Sequence, residues 1–184
     1  MVAGPFAMFA RIVPAALVVL LGACALVAPQ PAPLPQLEGV PAAFEMSGRL
    51  ALRVADRSEI ARLRWTHRPG SDLWIFASPL GNEVARIESG PGGAVLEQGG
   101  GRHQAAGFAE LTERLLGVAL EPAMLASWLH GSIPQSPASG WEVTIEETRQ
   151  AGAVAMARRM SARRGDTLVR LVVDEYRALP AGTP

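Results

Sequence analysis

The chain has 184 residues, of which 49% are hydrophobic and 18% are charged. This length and composition are those of a single globular domain with a sizeable core. The 17 basic and 17 acidic side chains balance, and neither sign forms a long block. The chain therefore lacks the positive surface expected of a nucleic-acid-binding protein, and we expect no nucleic-acid partner.

The N-terminal segment has the parts of a bacterial lipoprotein export signal in their usual order. Arg11 precedes an apolar run at residues 12–21, and the run closes on Leu-Gly-Ala-Cys at residues 21–24. A transmembrane helix needs about 20 apolar residues, so this run is too short, and Pro14 interrupts it. The pattern favours a cleaved export signal over a membrane span.

We predict that residues 1–23 are a signal peptide and that Cys24 is the site of lipid attachment. Cleavage after residue 23 of the 184 leaves a mature chain of 161 residues. Cys24 is the single cysteine, so the exported domain folds without disulfides and has no cysteine catalyst. An ordinary cleaved signal with an incidental cysteine is the alternative, and translation from Met8 would leave the prediction unchanged.

Residues 24–43 are predicted to be a tether between the lipid and the folded domain. Five prolines among small residues exclude a helix or a central strand and favour an extended chain. The folded domain is therefore predicted to occupy residues 44–184. The five prolines are Pro29, Pro31, Pro33, Pro35 and Pro41.

Short strands are predicted from residue 46 onward. Residues 46–54 alternate apolar with polar side chains, and residues 61–66 repeat this pattern, which favours an antiparallel hairpin. Residues 73–77 are apolar at every position, as in a strand covered on both faces. Residues 84–88 and 94–97 resume the alternation.

Polar and glycine-rich segments separate these strands. Residues 55–59 are a polar connection between the first two strands. The glycine clusters at residues 90–93 and 99–101 are interpreted as hairpin turns rather than phosphate-binding loops. Neither cluster is followed by Lys-Ser or Lys-Thr at the start of a helix.

The apolar period then changes from two to that of a helix. Residues 108–116 predict one amphipathic helix that stops at Gly117, and a second helix begins at Pro122 and stops at Gly131. Strand patterning returns in three further segments, at residues 141–146, 154–162 and 168–176. The order predicts an α+β fold, with a curved antiparallel sheet and two helices across one face.

We find no catalytic or metal-binding pattern. The three histidines lie at unrelated spacings in polar or turn-like surroundings, and we expect each on the surface. There is no His-Glu-x-x-His motif and no Gly-x-Ser-x-Gly motif. We expect no enzymatic activity, no metal and no cofactor. The histidines are His67, His103 and His130.

Short motifs follow the predicted lipid-attachment site in a fixed order. They are Gly-Arg-Leu-Ala-Leu at 48–52, Trp65, Ser-Pro-Leu-Gly at 78–81, Leu-Leu-Gly at 115–117, Trp-Leu-His-Gly at 128–131 and Gly-Trp-Glu-Val at 140–143. Each motif alone is weak, whereas the ordered set resembles the LolB family of outer-membrane lipoprotein receptors. The resemblance covers most of the mature chain.

The resemblance implies a receptor that takes lipoproteins from the periplasmic carrier LolA and places them in the inner leaflet of the outer membrane. It also implies an incomplete antiparallel β-barrel with a helical lid over an apolar cavity for acyl chains. We expect a monomer anchored by lipid to the periplasmic face of the outer membrane. Ala25 replaces the aspartate that commonly retains lipoproteins in the inner membrane, which agrees with this location.

In this family the loop after the third strand carries an apolar residue used in membrane targeting or insertion. Leu80 holds the matching position in this chain. A leucine packed beneath its own turn is the alternative interpretation of this residue.

Nine residues that the strand and helix patterns direct inward are our candidates for the cavity wall. A lipid-anchored envelope scaffold or accessory protein with a filled core is the alternative function, and an envelope hydrolase would need a catalytic cluster formed by distant residues. The nine candidates are Leu50, Leu52, Leu63, Trp65, Ile75, Trp128, Leu129, Trp141 and Val143.

Overall fold

The computed structural model describes residues 41–132 and 140–180. The predicted signal peptide, Cys24 and nearly all of the predicted tether lie outside the described residues. The described chain forms nine strands and two helices, α1 (Phe108–Leu116) and α2 (Pro122–Leu129). The strands are β1 (Phe44–Val54), β2 (Arg57–Arg68), β3 (Ser71–Ala77), β4 (Glu83–Gly90), β5 (Gly93–Gln98), β6 (Gly101–Ala105), β7 (Glu142–Ala151), β8 (Val154–Arg164) and β9 (Thr167–Ala178).

All nine strands belong to one antiparallel sheet with the order β6-β5-β4-β3-β2-β1-β9-β8-β7. Strands β6 and β7 are its two edges, and no pairing within the described residues joins them. The sheet is therefore open. This confirms the predicted antiparallel sheet with two helices and is consistent with an incomplete barrel.

The hairpin turns define two ends of this sheet. The turns between β1 and β2, β3 and β4, β5 and β6, and β8 and β9 lie at one end, which we call the Leu80 end after the β3–β4 turn. Strand β1 begins at the opposite end, which we call the Phe44 end. The register fixes this assignment, because Val54 pairs with Arg57 at the first end and Phe44 pairs with His67 at the second.

Strand β1 lies inside the sheet between β2 and β9, and its close approach to β9 requires glycine at position 48. The pairing of β1 with β9 shifts between Ser47 and Gly48, which leaves Asp174 as an extra residue in β9. A Cβ atom at position 48 would lie 2.3 Å from the carbonyl oxygen of Val172. Only glycine lets the two backbones approach this closely at the bulge.

The helices begin and end where the sequence predicts. Helix α1 stops at Gly117, whose φ of 73° is left-handed and whose N–H donates to the carbonyl of Glu113 at 2.8 Å. Helix α2 starts at Pro122. Helix α1 packs against β4, β5 and β6, and α2 packs against β8. Within the described parts of the chain, no helix is long and apolar enough to cross a bilayer.

A buried hydroxyl fixes α1 to the segment that leads into α2. The Thr112 hydroxyl accepts a hydrogen bond from the N–H of Leu120 at 2.8 Å. It lies 2.9 Å from the carbonyl oxygen of Ala109, to which it can donate its proton. Helix α1 is therefore joined to the segment that leads into α2 by a hydrogen bond as well as by the chain.

Two details of the strands differ from the sequence prediction. Strand β6 was not predicted, because Gly-Arg-His-Gln-Ala has no apolar alternation and forms a strand by pairing with β5. The connection between β1 and β2 is shorter than the predicted residues 55–59, since β2 already begins at Arg57.

Candidate functional site

Most of the predicted cavity residues lie together in one apolar core. Seven of the nine are buried, and Val143 is half-buried and packs against them. The rings of Trp128 and Trp141 meet edge to face with centroids 5.6 Å apart, and the guanidinium of Arg164 lies 4.5 Å from the centre of the Trp141 ring. In this structure the predicted wall residues pack against one another. The buried seven are Leu50, Leu52, Leu63, Trp65, Trp128, Leu129 and Trp141.

The prediction that Ile75 faces the core is wrong. Ile75 pairs with Arg64 of β2 and Arg86 of β4 on the outer face of the sheet, where it lines an open polar groove. Its neighbours Trp74 and Phe76 are the buried residues of β3. Since residues 73–77 are apolar at every position, the pattern does not show which set faces inward, and burial of the two larger rings removes more apolar surface from water.

Several large core residues were not singled out from the sequence. The ring of Trp74 contacts Phe108 of α1 with centroids 4.8 Å apart and Trp65 of β2 at 5.4 Å. Alternation within residues 73–77 would have found Trp74 and Phe76 once the register with β2 was known. The missed core residues include Phe44, Trp74, Phe76, Ile87 and Leu96, whereas Phe108 and Leu111 lie on the apolar face predicted for the first helix.

The two adjacent tryptophans differ in their polar contacts. The Nε1–H of Trp65 donates to Oδ1 of Asp72 at 2.7 Å, and Nδ1 of His67 lies 2.8 Å from the same oxygen. The Nε1–H of Trp74 is buried and has no acceptor within the described residues. Trp65 is thus held by hydrogen bonds at the Phe44 end, whereas Trp74 is held by ring contacts.

His130 is fully buried at 0% exposure, so the predicted surface position is wrong for this histidine. Its Nδ1 lies 2.7 Å from the carbonyl oxygen of Ala126 and must donate, since a carbonyl only accepts. In the neutral ring Nε2 then accepts a hydrogen bond from the Tyr176 hydroxyl at 2.8 Å. The ring of Phe44 packs against both residues, with centroid distances of 5.2 Å and 5.6 Å.

Burial shifts the titration of both members of this pair. It lowers the pKa of His130, and the hydrogen bond to the Ala126 carbonyl opposes that shift in part. Burial also raises the pKa of Tyr176. Both side chains are therefore neutral near pH 7 and join the C-terminal end of α2 to β9.

The β3–β4 turn holds Leu80 in solvent. The N–H of Ser78 donates to the carbonyl of Asn82, and the N–H of Gly81 donates to the carbonyl of Ser78, both at 2.8 Å. Gly81 has a φ of 95°, which favours glycine at this position. Leu80 is 90% exposed, so it is not packed beneath its own turn.

Charged side chains lie mainly on the outer face of the sheet. Arg49 pairs with Asp174 at 3.1 Å, and Arg86 pairs with Glu83 at 2.9 Å. No group of three His, Cys, Asp or Glu residues within the described ranges is arranged to hold a metal ion. The candidate site thus consists of the apolar core under the helices and the exposed Leu80.

Comparison with known proteins shows the family to which this chain belongs. The family described as outer membrane lipoprotein LolB matches residues 42–176. This chain belongs to the LolB family. Relatives named outer-membrane lipoprotein LolB include that of Azoarcus sp., 31% identical over 176 residues, which span 87% of this chain and 91% of the relative.

Two further LolB proteins show similar agreement. That of Chromobacterium violaceum is 35% identical over 143 residues, spanning 76% of this chain and 75% of the relative. That of Thiobacillus denitrificans is 32% identical over 180 residues, spanning 87% and 93%. The LolB match includes both helices and the Leu80 turn. The predicted resemblance is therefore confirmed, and with it the outer-membrane location.

Proposed function

We propose that this LolB-family protein is the outer-membrane receptor that accepts lipoproteins from a LolA-like carrier and inserts them into the inner leaflet of that membrane. The observation that carries this proposal is the family match to residues 42–176, which contain both the apolar core and the exposed Leu80. The receptor acts as a monomer, by binding and transfer without a catalytic step.

The chain is organised around this task in three parts. Residues 1–23 direct export, and Cys24 carries the lipid that keeps the receptor at the periplasmic face of the outer membrane. Residues 24–43 are the tether. Residues 44–184 are the single domain that binds lipoprotein clients.

The acyl chains of a client bind between the inner face of the sheet and the two helices. The supporting observation is that the buried polar side chains of the described core are Thr112 and His130, and both are hydrogen-bonded. The wall therefore presents no unpaired charge to a hydrocarbon chain. Because the described core is packed, α1 and α2 must move away from the sheet to act as a lid over a cavity.

Transfer needs no nucleotide in this scheme. Each methylene removed from water contributes about 0.8 kcal/mol, so acyl chains pass between protein surfaces without entering solvent. The receptor accepts a client if its core binds the chains more tightly than the carrier does. The bilayer then takes the chains because it buries them more completely.

Leu80 provides the contact with that bilayer. Its exposure on a turn fixed by two backbone hydrogen bonds lets the side chain enter the membrane without unfolding any strand. Burial of one leucine side chain in an apolar medium contributes about 1.5–3 kcal/mol. This gain is too small to hold the domain at the membrane by itself, but it favours contact of the turn with a bilayer to which the lipid on Cys24 already attaches the chain.

The receptor function is tested with a soluble form of the chain. Cys24→Ala combined with an ordinary export signal yields the mature chain without its lipid, which is then mixed with a LolA–lipoprotein complex. We expect the lipoprotein to move onto this chain, as measured by co-purification. A lipoprotein that stays on LolA while the acceptor is folded would overturn the proposal and favour the scaffold with a filled core.

A further inference from the structure

Exposed apolar side chains are concentrated at the Leu80 end of the sheet. Within residues 41–132 and 140–180, the large apolar side chains classed as exposed are Leu80, Ile60 at 66% and Val84 at 49%. Single exposed apolar residues are ordinary on protein surfaces. Here, however, Val84 follows the Leu80 turn directly in β4, and Ile60 lies in the part of β2 that reaches the same end.

Strand β2 extends beyond its neighbour β3 at this end. The pairing of the two strands begins with Arg62 opposite Ala77, the last residue of β3. Residues 57–61 of β2 therefore have β1 on one side and no β3 residue opposite them on the other. Ile60 lies on this overhang, on the same face of β2 as Arg62, and Arg62 lines one groove with Gly81 of the Leu80 turn.

An exposed strand edge is normally protected by charged side chains, which prevent pairing with other chains. Arg57 and Glu59 fit that role on the overhang, but Ile60 does not. Exposure of a large apolar side chain to water is unfavourable at this position. Its exposure next to Leu80 indicates an apolar partner that contacts both residues.

An arginine on the same face as Ile60 favours a phospholipid surface as the partner. Arg57 and Arg62 are exposed, and no ion pair within the described residues involves either of them. Every basic side chain in the sequence is arginine, and its guanidinium binds phosphate oxygens in a two-pronged geometry. Asp56 and Glu59 balance these charges locally, so the attraction comes from directed phosphate contacts and apolar insertion rather than from net charge.

We propose that Ile60 is a second membrane-contact residue beside Leu80, and that Arg62 binds the phosphate of a phospholipid headgroup next to them. This inference rests on the proposed function, because it assumes that the Leu80 turn meets the bilayer. It adds a defined contact surface, formed by the β3–β4 turn and the overhang of β2. Two anchoring points fix the orientation of the domain on the membrane, whereas Leu80 alone would leave it free to rotate.

The single cysteine of the chain makes a direct test possible. The Cys24→Ala protein has no thiol, so Ile60→Cys, Leu80→Cys and Arg68→Cys can each be labelled with one environment-sensitive fluorophore. Arg68 is the matched control, since it is exposed on the same face of β2 at the opposite end of the strand. Each labelled protein is mixed with vesicles of phosphatidylethanolamine and phosphatidylglycerol.

We expect the emission to rise and shift to the blue at positions 60 and 80 and to stay unchanged at position 68. A response at position 80 alone would overturn the role of Ile60 and leave the proposed function intact. No response at either position would contradict membrane insertion by the receptor as a whole. A response at position 68 equal to that at position 60 would show adsorption without the proposed orientation.

Unlabelled variants measure the size of each contact. Ile60→Thr keeps a β-branched side chain and should weaken vesicle binding about tenfold, because most of the apolar side chain is lost. Arg62→Gln should weaken it about fivefold at low salt, and less at high salt. Uptake of lipoprotein from LolA should be unchanged in both variants, which separates the membrane step from client binding. Unchanged vesicle affinity in Ile60→Thr would refute the contact.

Discussion

The two ends of the sheet differ in which side chains they expose to solvent and which they bury. At the Leu80 end, the apolar side chains of Leu80 and Ile60 are exposed on a turn and a strand overhang. At the Phe44 end, the polar side chain of His130 is fully buried and is hydrogen-bonded to the half-buried Tyr176. We propose that one end makes a reversible contact with an apolar partner, whereas the other end joins α2 to the sheet.

The comparison also bears on how the lipid anchor is used. The chain enters β1 at the Phe44 end, so the predicted tether is attached far from Leu80. Strand β1 has 11 residues, which span about 36 Å at 3.3 Å per residue. A proline-rich tether of about 20 residues extends to about 60 Å. We infer that the predicted tether is long enough for Leu80 and the predicted lipid on Cys24 to reach the same bilayer.

The largest expected effect is at the Leu80 end. Leu80→Asp should reduce delivery of lipoprotein into vesicles by about 100-fold, because a carboxylate is strongly disfavoured in hydrocarbon. Stability should change by less than about 0.5 kcal/mol, since the side chain makes no core contact. Delivery is measured as lipoprotein recovered with the vesicles, and stability as the urea midpoint.

Leu80→Phe is the matched control for that variant. It keeps a large apolar side chain on the same turn and should retain delivery. If Leu80→Asp delivered lipoprotein at the rate of the unchanged chain, the exposed leucine would have no part in insertion, and the functional contrast between the ends would fail.

At the Phe44 end the large effect should fall on stability. His130→Ala leaves the Tyr176 hydroxyl without its imidazole partner and opens a cavity in the core, while the Ala126 carbonyl still accepts from the backbone N–H of residue 130. We expect a loss of about 3 kcal/mol in the free energy of unfolding, measured by urea denaturation. The control variant His103→Ala, on the edge strand β6, should change the free energy of unfolding by less than about 0.5 kcal/mol. Equal losses of stability in the two variants would argue against the conclusion that His130 holds α2 to the sheet at the Phe44 end.

The side-chain arrangement at the Phe44 end was harder to predict from the sequence than that at the Leu80 end. Leu80 was singled out by the family resemblance, with a leucine packed beneath its own turn as the alternative, and α1 and α2 follow from local periodicity and end signals. The burial of His130 depends on Tyr176, which lies 46 residues further along the chain. No local pattern reports such a contact, so the histidine was placed on the surface.

The same limit explains the errors in the sheet. Strand β6 has little apolar character and exists because its backbone pairs with β5. Ile75 was placed inward because every side chain in residues 73–77 is apolar, and only the register with β2 decides which of them face the core. Local amphipathicity thus predicts where helices and strands form. Which face of a strand is buried, and which polar side chains meet, depends on pairing between residues that are distant in the sequence.

The two core tryptophans offer a smaller and more specific test. Trp65→Phe should cost about 2 kcal/mol, because it removes apolar area and also the hydrogen bond to Asp72. Trp74→Phe removes a similar area together with a buried N–H that has no acceptor in the described residues, so the loss should be nearer 1 kcal/mol. Urea denaturation of both variants gives the comparison. A larger loss in Trp74→Phe would mean that its N–H is satisfied in solution.

The smallest effect concerns the pH dependence of stability. Burial lowers the pKa of His130 in the folded chain, whereas in the unfolded chain the imidazole titrates near about 6.5. Below that pH the unfolded state binds a proton that the folded state does not bind. The stability associated with His130 is therefore complete above about pH 6.5 and declines as the pH falls.

His130→Gln isolates this contribution, because glutamine does not titrate and can still form hydrogen bonds. We expect the urea midpoint of the unchanged chain to fall more steeply between about pH 7 and about pH 5.5 than that of His130→Gln. His67 and Asp72 are the same in both proteins, so the comparison differs only at position 130. Leu80→Asp adds a carboxylate only at the exposed end, where it should leave the slope through the histidine range unchanged. Equal slopes in the unchanged chain and His130→Gln would show that the histidine is not held neutral by the Phe44 end.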